Sequence, residues 1–167
     1  MSTLYLIADT HFGHKGMCHF TDKEGVKLRP WATVEEMDEA MVANWNSVVK
    51  PHDKVYHLGD VVINRKALPT LTRLNGTKVL IKGNHDIFKL SDYSLYFKDI
   101  RAYRVLDNII CSHIPIHTYC KARFKGNIHG HTHSNIMDDP WYQSVCVEQI
   151  NYTPISWEVM RARFNDT

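Results

Sequence analysis

Short apolar runs alternate with a stretch of helical periodicity in the first half of the chain. Residues 3–8 are apolar and predict a strand that is buried on both faces, whereas residues 9–31, rich in glycine, predict a long loop. Residues 34–49 predict a helix, because apolar side chains recur there at spacings of three and four. Thr33 and Glu36 are spaced as a capping box at its start.

The later segments are shorter and mostly strand-like. Further strands are predicted at 54–58, 77–81, 109–111, 126–130 and 144–148, and helices at 66–74 and 157–164, the last capped by Ser156. Residues 92–107 have no clear pattern, and 114–125 is interpreted as a loop. Strands that alternate with helices early and then dominate favour a layered α/β fold, with 1–167 as a single domain.

Net charge, cysteine spacing and the length of apolar runs narrow the class of protein but do not indicate a substrate. The chain has 167 residues and a net charge of +2, which is too small to argue for nucleic-acid binding by itself. None of its four cysteines has CxxC spacing, so reduced thiols are expected. No leader pattern and no apolar run near 18 residues is present, and we therefore expect a cytoplasmic protein without a membrane span.

Metal-ligand residue types recur directly after the predicted strands. They are Asp9, His11, Asp60, Asn84, His85, His113, His131 and His133. Taken singly, each motif is a common turn or loop pattern. Taken together and in order, oxygen and imidazole donors at the ends of several strands suit a two-metal site.

The spacing of these residues suggests individual roles. Asp9 and His11 are two apart, so both can face one metal from an extended chain. The Asp60 carboxylate could bridge two cations with its two oxygens. Asn84 offers a neutral oxygen ligand and places His85 toward the substrate, while Asp86 either orients His85 or caps the following turn.

These ordered motifs, which span residues 9 to 133, resemble the full signature of the calcineurin-like metallophosphoesterase superfamily. The resemblance implies a four-layer α/β-β/α sandwich that holds two divalent metal ions. It assigns Asp9, His11 and His133 to one metal and Asn84, His113 and His131 to the other. By the same resemblance Asp60 bridges the metals, and His85 contacts the scissile phosphate or protonates the leaving group.

Two motifs of this chain differ from those of phosphoprotein phosphatases, which narrows the choice of subgroup within the superfamily. Phosphoprotein phosphatases of this superfamily carry a GDxVDRG run and a GNHE motif. Here residues 59–65 read Gly-Asp-Val-Val-Ile-Asn-Arg, and the later motif ends in Asp86. The short chain and the run His113-Ile114-Pro115 look more like the compact, cap-less phosphodiesterases of bacteria, archaea and phages.

The expected function is therefore a dinuclear-metal-dependent phosphodiesterase that attacks a phosphodiester with a hydroxide bridging two metals. Manganese, iron, cobalt, nickel or zinc suits the donor set, and magnesium is less apt because it prefers more oxygen ligands. The expected substrate is a small phosphoester or nucleotide, with nucleic-acid ends left open, and no oligomeric state is predicted. The alternatives are an interaction module of this fold without turnover, and a phosphomonoesterase or phosphoprotein phosphatase.

Other polar residues have two interpretations each. His57 and His129 are interpreted as packed residues or supports of the ligands, and His14 either reaches the substrate or is an exposed loop residue. Seven basic residues are candidates for binding a distal phosphate, with a solvated loop as the alternative: Arg29, Arg65, Lys66, Lys82, Lys121, Arg123 and Lys125. Loops 12–31 and 114–127 are expected to carry the specificity.

Overall fold

Two β-sheets form the centre of the protein, whose computed structural model describes residues 1–164. The first sheet contains β1 (Leu4–Ile7), β2 (Lys54–His57), β3 (Thr77–Ile81), β4 (Asp99–Arg101) and β9 (Ile155–Ser156). Its order is β4-β3-β2-β1-β9, and only β9 is antiparallel to its neighbour. The second sheet contains β5 (Arg104–Leu106), β6 (Ile109–Ser112), β7 (Gly126–His129) and β8 (Tyr142–Ser144), in that order. There β5 is antiparallel to β6, and the other pairs are parallel.

The helices are few and mostly short. They are α1 (Val34–Val48), α2 (Leu90–Tyr93) and α3 (Trp157–Ala162), with 3-10 segments at Lys15–Cys18, Arg65–Arg73, Thr118–Ala122 and Val147–Gln149. No helix in residues 1–164 is long and apolar enough to span a membrane.

The side chains of the first sheet contribute to two separate hydrophobic cores, because successive residues of a strand face opposite sides of the sheet. In β1, Leu6 belongs to the core between the two sheets, whereas Ile7 belongs to the core under α1. The inter-sheet core joins Leu6, Tyr56, Val79 and Ile81 of the first sheet to Ile109, Cys111 and Ile128 of the second. The helix-side core contains Met37, Met41 and Trp45 of α1 together with Val55 and Leu80.

The outer face of the second sheet is covered by the segment around Thr118–Ala122. The Ile116 N–H donates to Asn127 Oδ1 at 2.9 Å, and the Tyr142 hydroxyl donates to the Ile116 carbonyl at 2.7 Å. The order of layers is helix, sheet, sheet and 3-10 segment. The predicted layered α/β sandwich is therefore confirmed.

Most predicted elements are confirmed within one or two residues, and the capping box is present. The Glu36 N–H donates to Thr33 Oγ1 at 3.2 Å, and the Thr33 N–H donates to Glu36 Oε2 at 3.3 Å. The predicted helix 66–74 is the 3-10 segment Arg65–Arg73, in which Pro69 has no N–H to donate. The unassigned residues 92–107 contain β4 and β5.

The predicted strand 144–148 is wrong in its placement. The strand is Tyr142–Ser144, after which the chain leaves the second sheet and turns into the segment Val147–Gln149. The change follows from pairing with the first sheet, because the Ala8 N–H donates to the Val145 carbonyl at 2.8 Å. The strand expectation for 3–8 is also only partly right, since the first half of β1 is half-buried.

We expect Thr33→Ala to destabilise the protein by about 1 kcal/mol, because the first turn of α1 loses its side-chain acceptor. Such a loss lowers the melting temperature by roughly 2–4 °C in a chain of this size. Thermal unfolding followed by circular dichroism measures it. Thr118→Ala is the matched control, since Thr118 is exposed on a 3-10 segment. Equal melting temperatures for the two variants would contradict the capping role.

Candidate metal centre

The predicted ligands meet at one edge of the sandwich, where the parallel strands of both sheets end. Asp9 and His11 follow β1, Asp60 follows β2, and Asn84 follows β3. From the second sheet, His113 follows β6 and both His131 and His133 follow β7. Carboxyl ends of parallel strands are the usual position of ligand sites in open α/β sheets.

The first group consists of Asp9, His11 and His133, whose donor atoms all lie within 4.8 Å of one another. Asp9 Oδ1 is 3.8 Å from His11 Nε2 and 4.0 Å from His133 Nε2. These spacings leave room for a cation between the three donors. The three residues are those that the family resemblance assigns to one metal.

The second group consists of Asp60, His113 and His131, also within 4.8 Å of one another. Asn84 joins it, because its Oδ1 is 2.8 Å from His113 Nε2 and 3.0 Å from His131 Nδ1. The structure therefore brings together all four residues expected around the second metal.

Asp60 lies between the two groups. Its Oδ2 is 3.6 Å from His11 Nε2 in the first group and 3.4 Å from His113 Nε2 in the second. Its other oxygen, Oδ1, accepts the backbone N–H of His85 at 2.9 Å. The carboxylate thus has the position that a ligand shared by two cations requires.

Buried polar atoms without partners show that the first group suits a cation. Asp9 is 0% exposed and His11 is 2% exposed. Within residues 1–164, Asp9 Oδ1 and both ring nitrogens of His11 have no hydrogen-bond partner. Buried polar groups are normally satisfied, and leaving one unsatisfied costs about 1–3 kcal/mol. A divalent ion bound by these atoms would satisfy them.

The backbone is strained at the same positions. Nine described non-glycine residues have positive φ, and five of them are proposed ligands: Asp9 (59°), His11 (49°), Asp60 (57°), His131 (71°) and His133 (50°). Such conformations cost of order 1–3 kcal/mol each and cluster at functional sites. The strain turns these side chains out of the direction of their strands and toward the two groups.

Glycines allow the strand ends to approach the carboxylates. A Cβ on Gly83 would lie 2.3 Å from Asp60 Oδ1, and a Cβ on Gly130 would lie 2.6 Å from Asp9 Oδ2. Any side chain at either position would displace one of these two carboxylates. The two motif glycines are therefore required by close packing against the site.

The Asp86 carboxylate supports the site through backbone N–H groups, and the His85 imidazole is not among its described partners. Its side chain accepts the N–H of Gly83 at 2.7 Å, of Asp60 at 2.8 Å and of Val61 at 3.0 Å. Neither role expected for Asp86 describes this arrangement. The carboxylate instead ties the loop after β2 to the loop after β3.

Arg29 and Glu148 form a buried pair that the sequence analysis did not find. Arg29 is 0% exposed; its guanidinium donates to the carbonyls of Asp9 and Thr10 and to Glu148 Oε1 at 3.1 Å. Glu148 Oε1 is also 3.0 Å from His133 Nδ1 and directs His133 Nε2 toward the first group. The candidate role of Arg29 in binding a distal phosphate is wrong, because the guanidinium is enclosed and fully used. Nothing in the sequence signals the pair, whose members are 119 residues apart.

Other buried groups hold the ligands in place. The Cys146 thiol donates to Asp9 Oδ2 at 3.3 Å, and His113 Nδ1 is 2.6 Å from the Leu58 carbonyl. His57 is buried and its Nδ1 accepts the Gly59 N–H at 3.2 Å. The interpretation of His57 as a support is therefore confirmed, and His129 is likewise buried against Tyr142.

Charges at the site act on one another. Burial alone would raise the pKa of Asp9, but the imidazoles of His11, His113 and His133 lower it well below its usual range. Burial would lower the pKa of His113, but Asp60 and Asp9 raise it above the ordinary value. The pKa of His133 is raised in the same way by Glu148, against the effect of burial. The pKa of the Asp60 carboxylate is lowered as well, with His113 acting against burial, so the site lowers the pKa of both carboxylates and raises that of two imidazoles.

Two further imidazoles stand beside the first group. His85 is exposed, and its ring centroid lies 5.8 Å from that of His11. His14 lies on the loop after β1 with its ring 5.5 Å from His11, and burial lowers its pKa to about 4. His14 is neither exposed nor a member of either metal group.

Several proteins are similar to this chain over most of its length. The uncharacterized protein MJ1445 of Methanocaldococcus jannaschii is 35% identical over 176 residues, which cover 96% of this chain and 90% of the relative. The Gene 66 protein of Mycobacterium phage L5 is 30% identical, covering 80% of this chain and 79% of that protein. No family model matches the chain.

A solved structure shares the fold. The protein of unknown function AQ665 from Aquifex aeolicus superimposes with a TM-score of 0.78 and 25% sequence identity. The match covers 97% of this chain and 99% of that one. The two-sheet α/β sandwich is thus an architecture that an experimental structure also has.

We expect Glu148→Gln to weaken Mn²⁺ binding roughly 10–100-fold, the usual effect of removing a carboxylate that orients a histidine ligand. It also leaves the buried Arg29 charge without its ionic partner, so the metal-free protein loses about 3 kcal/mol of stability. Isothermal titration and urea unfolding measure the two effects. Glu158→Gln, on the exposed face of α3, is the control. Unchanged Mn²⁺ affinity in Glu148→Gln would refute the orienting role.

We expect Mn²⁺ affinity to rise with pH from about 6 to 8, because bound imidazoles must first lose their protons. The raised pKa values of His113 and His133 place this loss above the ordinary value of 6.5. Titrations at pH 6.5 in two buffers of different ionisation enthalpy count the protons released. Binding that released no protons and was independent of pH would rule out these histidines as ligands.

Proposed function

This chain belongs to the same protein family as MJ1445 of Methanocaldococcus jannaschii, and we propose that it is a dinuclear-metal-dependent phosphoesterase of the calcineurin-like type. The observation that carries the proposal is the position of Asp60, whose Oδ2 lies within 3.6 Å of a histidine from each ligand group. Buried unsatisfied donors and five strained ligand residues support it.

Each ligand group would hold one divalent ion. Two bound ions would supply positive charge for an anionic phosphate and lower the pKa of a water between them. Four imidazoles, two carboxylates and one amide oxygen suit manganese, iron, cobalt, nickel or zinc. Magnesium prefers more oxygen ligands and is less apt.

His85 is the proposed catalytic residue that does not bind metal. Its imidazole is exposed beside His11, while its backbone N–H is anchored to Asp60 Oδ1. This anchor holds the ring at the mouth of the site, where it can donate a hydrogen bond to the scissile phosphate or a proton to the leaving oxygen. A proton is needed there because negative charge grows on that oxygen as its bond to phosphorus breaks.

The preferred reaction is hydrolysis of a phosphodiester of the nucleotide or nucleic-acid type, in the cytoplasm. The preference for a diester rests on the resemblance to compact, cap-less phosphodiesterases. The free cysteines of the described chain fit a reducing compartment. A monoesterase remains the alternative for the same centre. An interaction module without turnover would not need buried ligands left unsatisfied or a strained backbone at five of them.

The proposal is tested by adding Mn²⁺, Ni²⁺, Zn²⁺ or Mg²⁺ to metal-stripped protein with bis-p-nitrophenyl phosphate or p-nitrophenyl phosphate. Metal-restored cleavage of the diester is the expected result. Faster cleavage of the monoester would favour a phosphomonoesterase. No cleavage of either compound with two metals bound would count against the proposal.

We expect His85→Ala to retain both metals and to lose about a hundredfold or more in kcat on a dinucleotide, whose alkoxide leaving group needs a proton. The loss should be smaller on bis-p-nitrophenyl phosphate, because p-nitrophenolate leaves without one. Steady-state kinetics and metal analysis check both statements. His52→Ala, with an imidazole 66% exposed beside Asp53, is the matched control. Equal losses on both substrates would argue against proton donation by His85.

A further inference from the structure

A cleft of about 460 Å³ lies where the chain crosses from the first sheet to the second. Its lining is Arg101, Ala102, Tyr103, Arg104 and Val105. The volume is within the range of small-ligand sites, roughly 300–1,000 Å³. No residue of the cleft belongs to either metal group.

Strand register places the cleft at the metal-bearing edge. Arg101 pairs with Ile81, three residues before Asn84, and Arg104 pairs with Cys111, two residues before His113. The strand partners of the two arginines therefore lie within about 10 Å of chain from two proposed ligands. Arg101 and Ala102 also line a neighbouring cleft together with Gly83, which packs against Asp60.

Both arginines point into the space between the sheets. Paired residues on adjacent strands face the same side, and both Ile81 and Cys111 belong to the inter-sheet core. The two side chains thus start from the inner faces of opposite sheets, and both arginines line the same cleft.

The positive charge of Arg101 and Arg104 is only partly balanced by acidic side chains. Arg101 Nε donates to Asp99 Oδ2 at 2.6 Å. Arg104 makes no ion pair within residues 1–164, and its Nε is buried there without a hydrogen-bond partner. Two cations face one carboxylate, and one buried donor has no acceptor. An anionic ligand would supply the acceptor that the protein does not.

An aromatic residue lies between the two arginines in the chain and also lines the cleft. Tyr103 is 57% exposed, so its ring is accessible to a ligand. Guanidinium groups that contact phosphates, together with a ring on which a base can stack, are the elements of single-strand nucleic-acid binding. An inorganic phosphate would not use the ring.

We propose that the cleft formed by residues 101–105 binds a single strand of nucleic acid, with a phosphate beside the scissile one held by Arg101 and Arg104 and a base stacked on Tyr103. The inference rests on the proposed function, because it takes the scissile phosphate to lie at the metals. It makes the substrate an oligonucleotide rather than an isolated nucleotide.

The test measures the fluorescence anisotropy of a labelled eight-nucleotide DNA strand with Mn²⁺-loaded protein, in a His85→Ala background that slows turnover, with readings taken before cleavage accumulates. Arg104→Ala should raise Kd about tenfold and lower the slope of log Kd against log salt by about 0.7, the value for one phosphate contact. Arg101→Ala should act in the same direction, and because Arg101 is exposed its truncation leaves the fold intact.

Tyr103 is tested separately from the arginines. Tyr103→Ala should raise Kd at least about fivefold for the normal strand, whereas Tyr103→Phe should bind as the parent does. With an abasic strand, Tyr103→Ala should have no effect and Arg104→Ala should keep its effect. Lys54→Ala removes one positive charge at the opposite end of β2 and should leave Kd unchanged.

Two results would overturn the cleft as a strand site. One is parental affinity in both arginine variants. The other is an equal loss, with His85 intact, in oligonucleotide and bis-p-nitrophenyl phosphate hydrolysis, which would show that the variants damage the metal centre. Failure of the wild type to cleave bis-p-nitrophenyl phosphate with metals bound would instead count against the proposed phosphoesterase activity. The anisotropy measurement would still show whether the cleft binds a DNA strand.

Discussion

Two buried carboxylates among four imidazoles are the constraint on which this structure depends. Asp9 and Asp60 are almost fully enclosed, and neither is paired with a lysine or arginine side chain. Burying charge is costly unless it is compensated, so the surrounding chain must supply donors, histidines and space for cations. The glycines and strained residues at the ends of β1, β2, β3 and β7 follow from this requirement, since they let the donors converge.

The supports of the site come from distant parts of the chain. Arg29 joins the loop after β1 to Glu148, and Glu148 in turn orients His133. Asp86 joins the loops after β2 and β3. Each support fixes a backbone position and a side-chain direction at once. A metal centre assembled from loops of two sheets can be precise only because these buried bonds remove the freedom of the loops.

The proposed metal centre and the proposed substrate cleft are adjacent, but they bind their ligands through different groups. At the metal centre, preorganised donors hold cations and His85 stands at the mouth of the site. In the cleft of residues 101–105, two arginines and one exposed ring are available for phosphate and base. The specificity loops expected from the sequence, 12–31 and 114–127, do not include this cleft. Its residues lie instead in the stretch 92–107, which had no clear pattern.

The alternation of predicted strands and helices was enough to predict the α/β class, and the ordered motifs named the residues that lie in the two groups, whereas their division between two metals came from the family resemblance. That was possible because strand ends and glycine turns leave local patterns, and because alternation along a strand decides which residues share a side. Local pattern also predicted the capping box of α1. The path after Ser144 was not predictable, because hydrogen bonds to Ala8 on another sheet redirect it. Tertiary structure alone decided that Arg29 is a buried support rather than a phosphate ligand, that Glu148 and Cys146 hold the site, and that Arg101 and Arg104 line one cleft. Each of these contacts joins residues far apart in the chain or in different sheets, where no sequence period relates them.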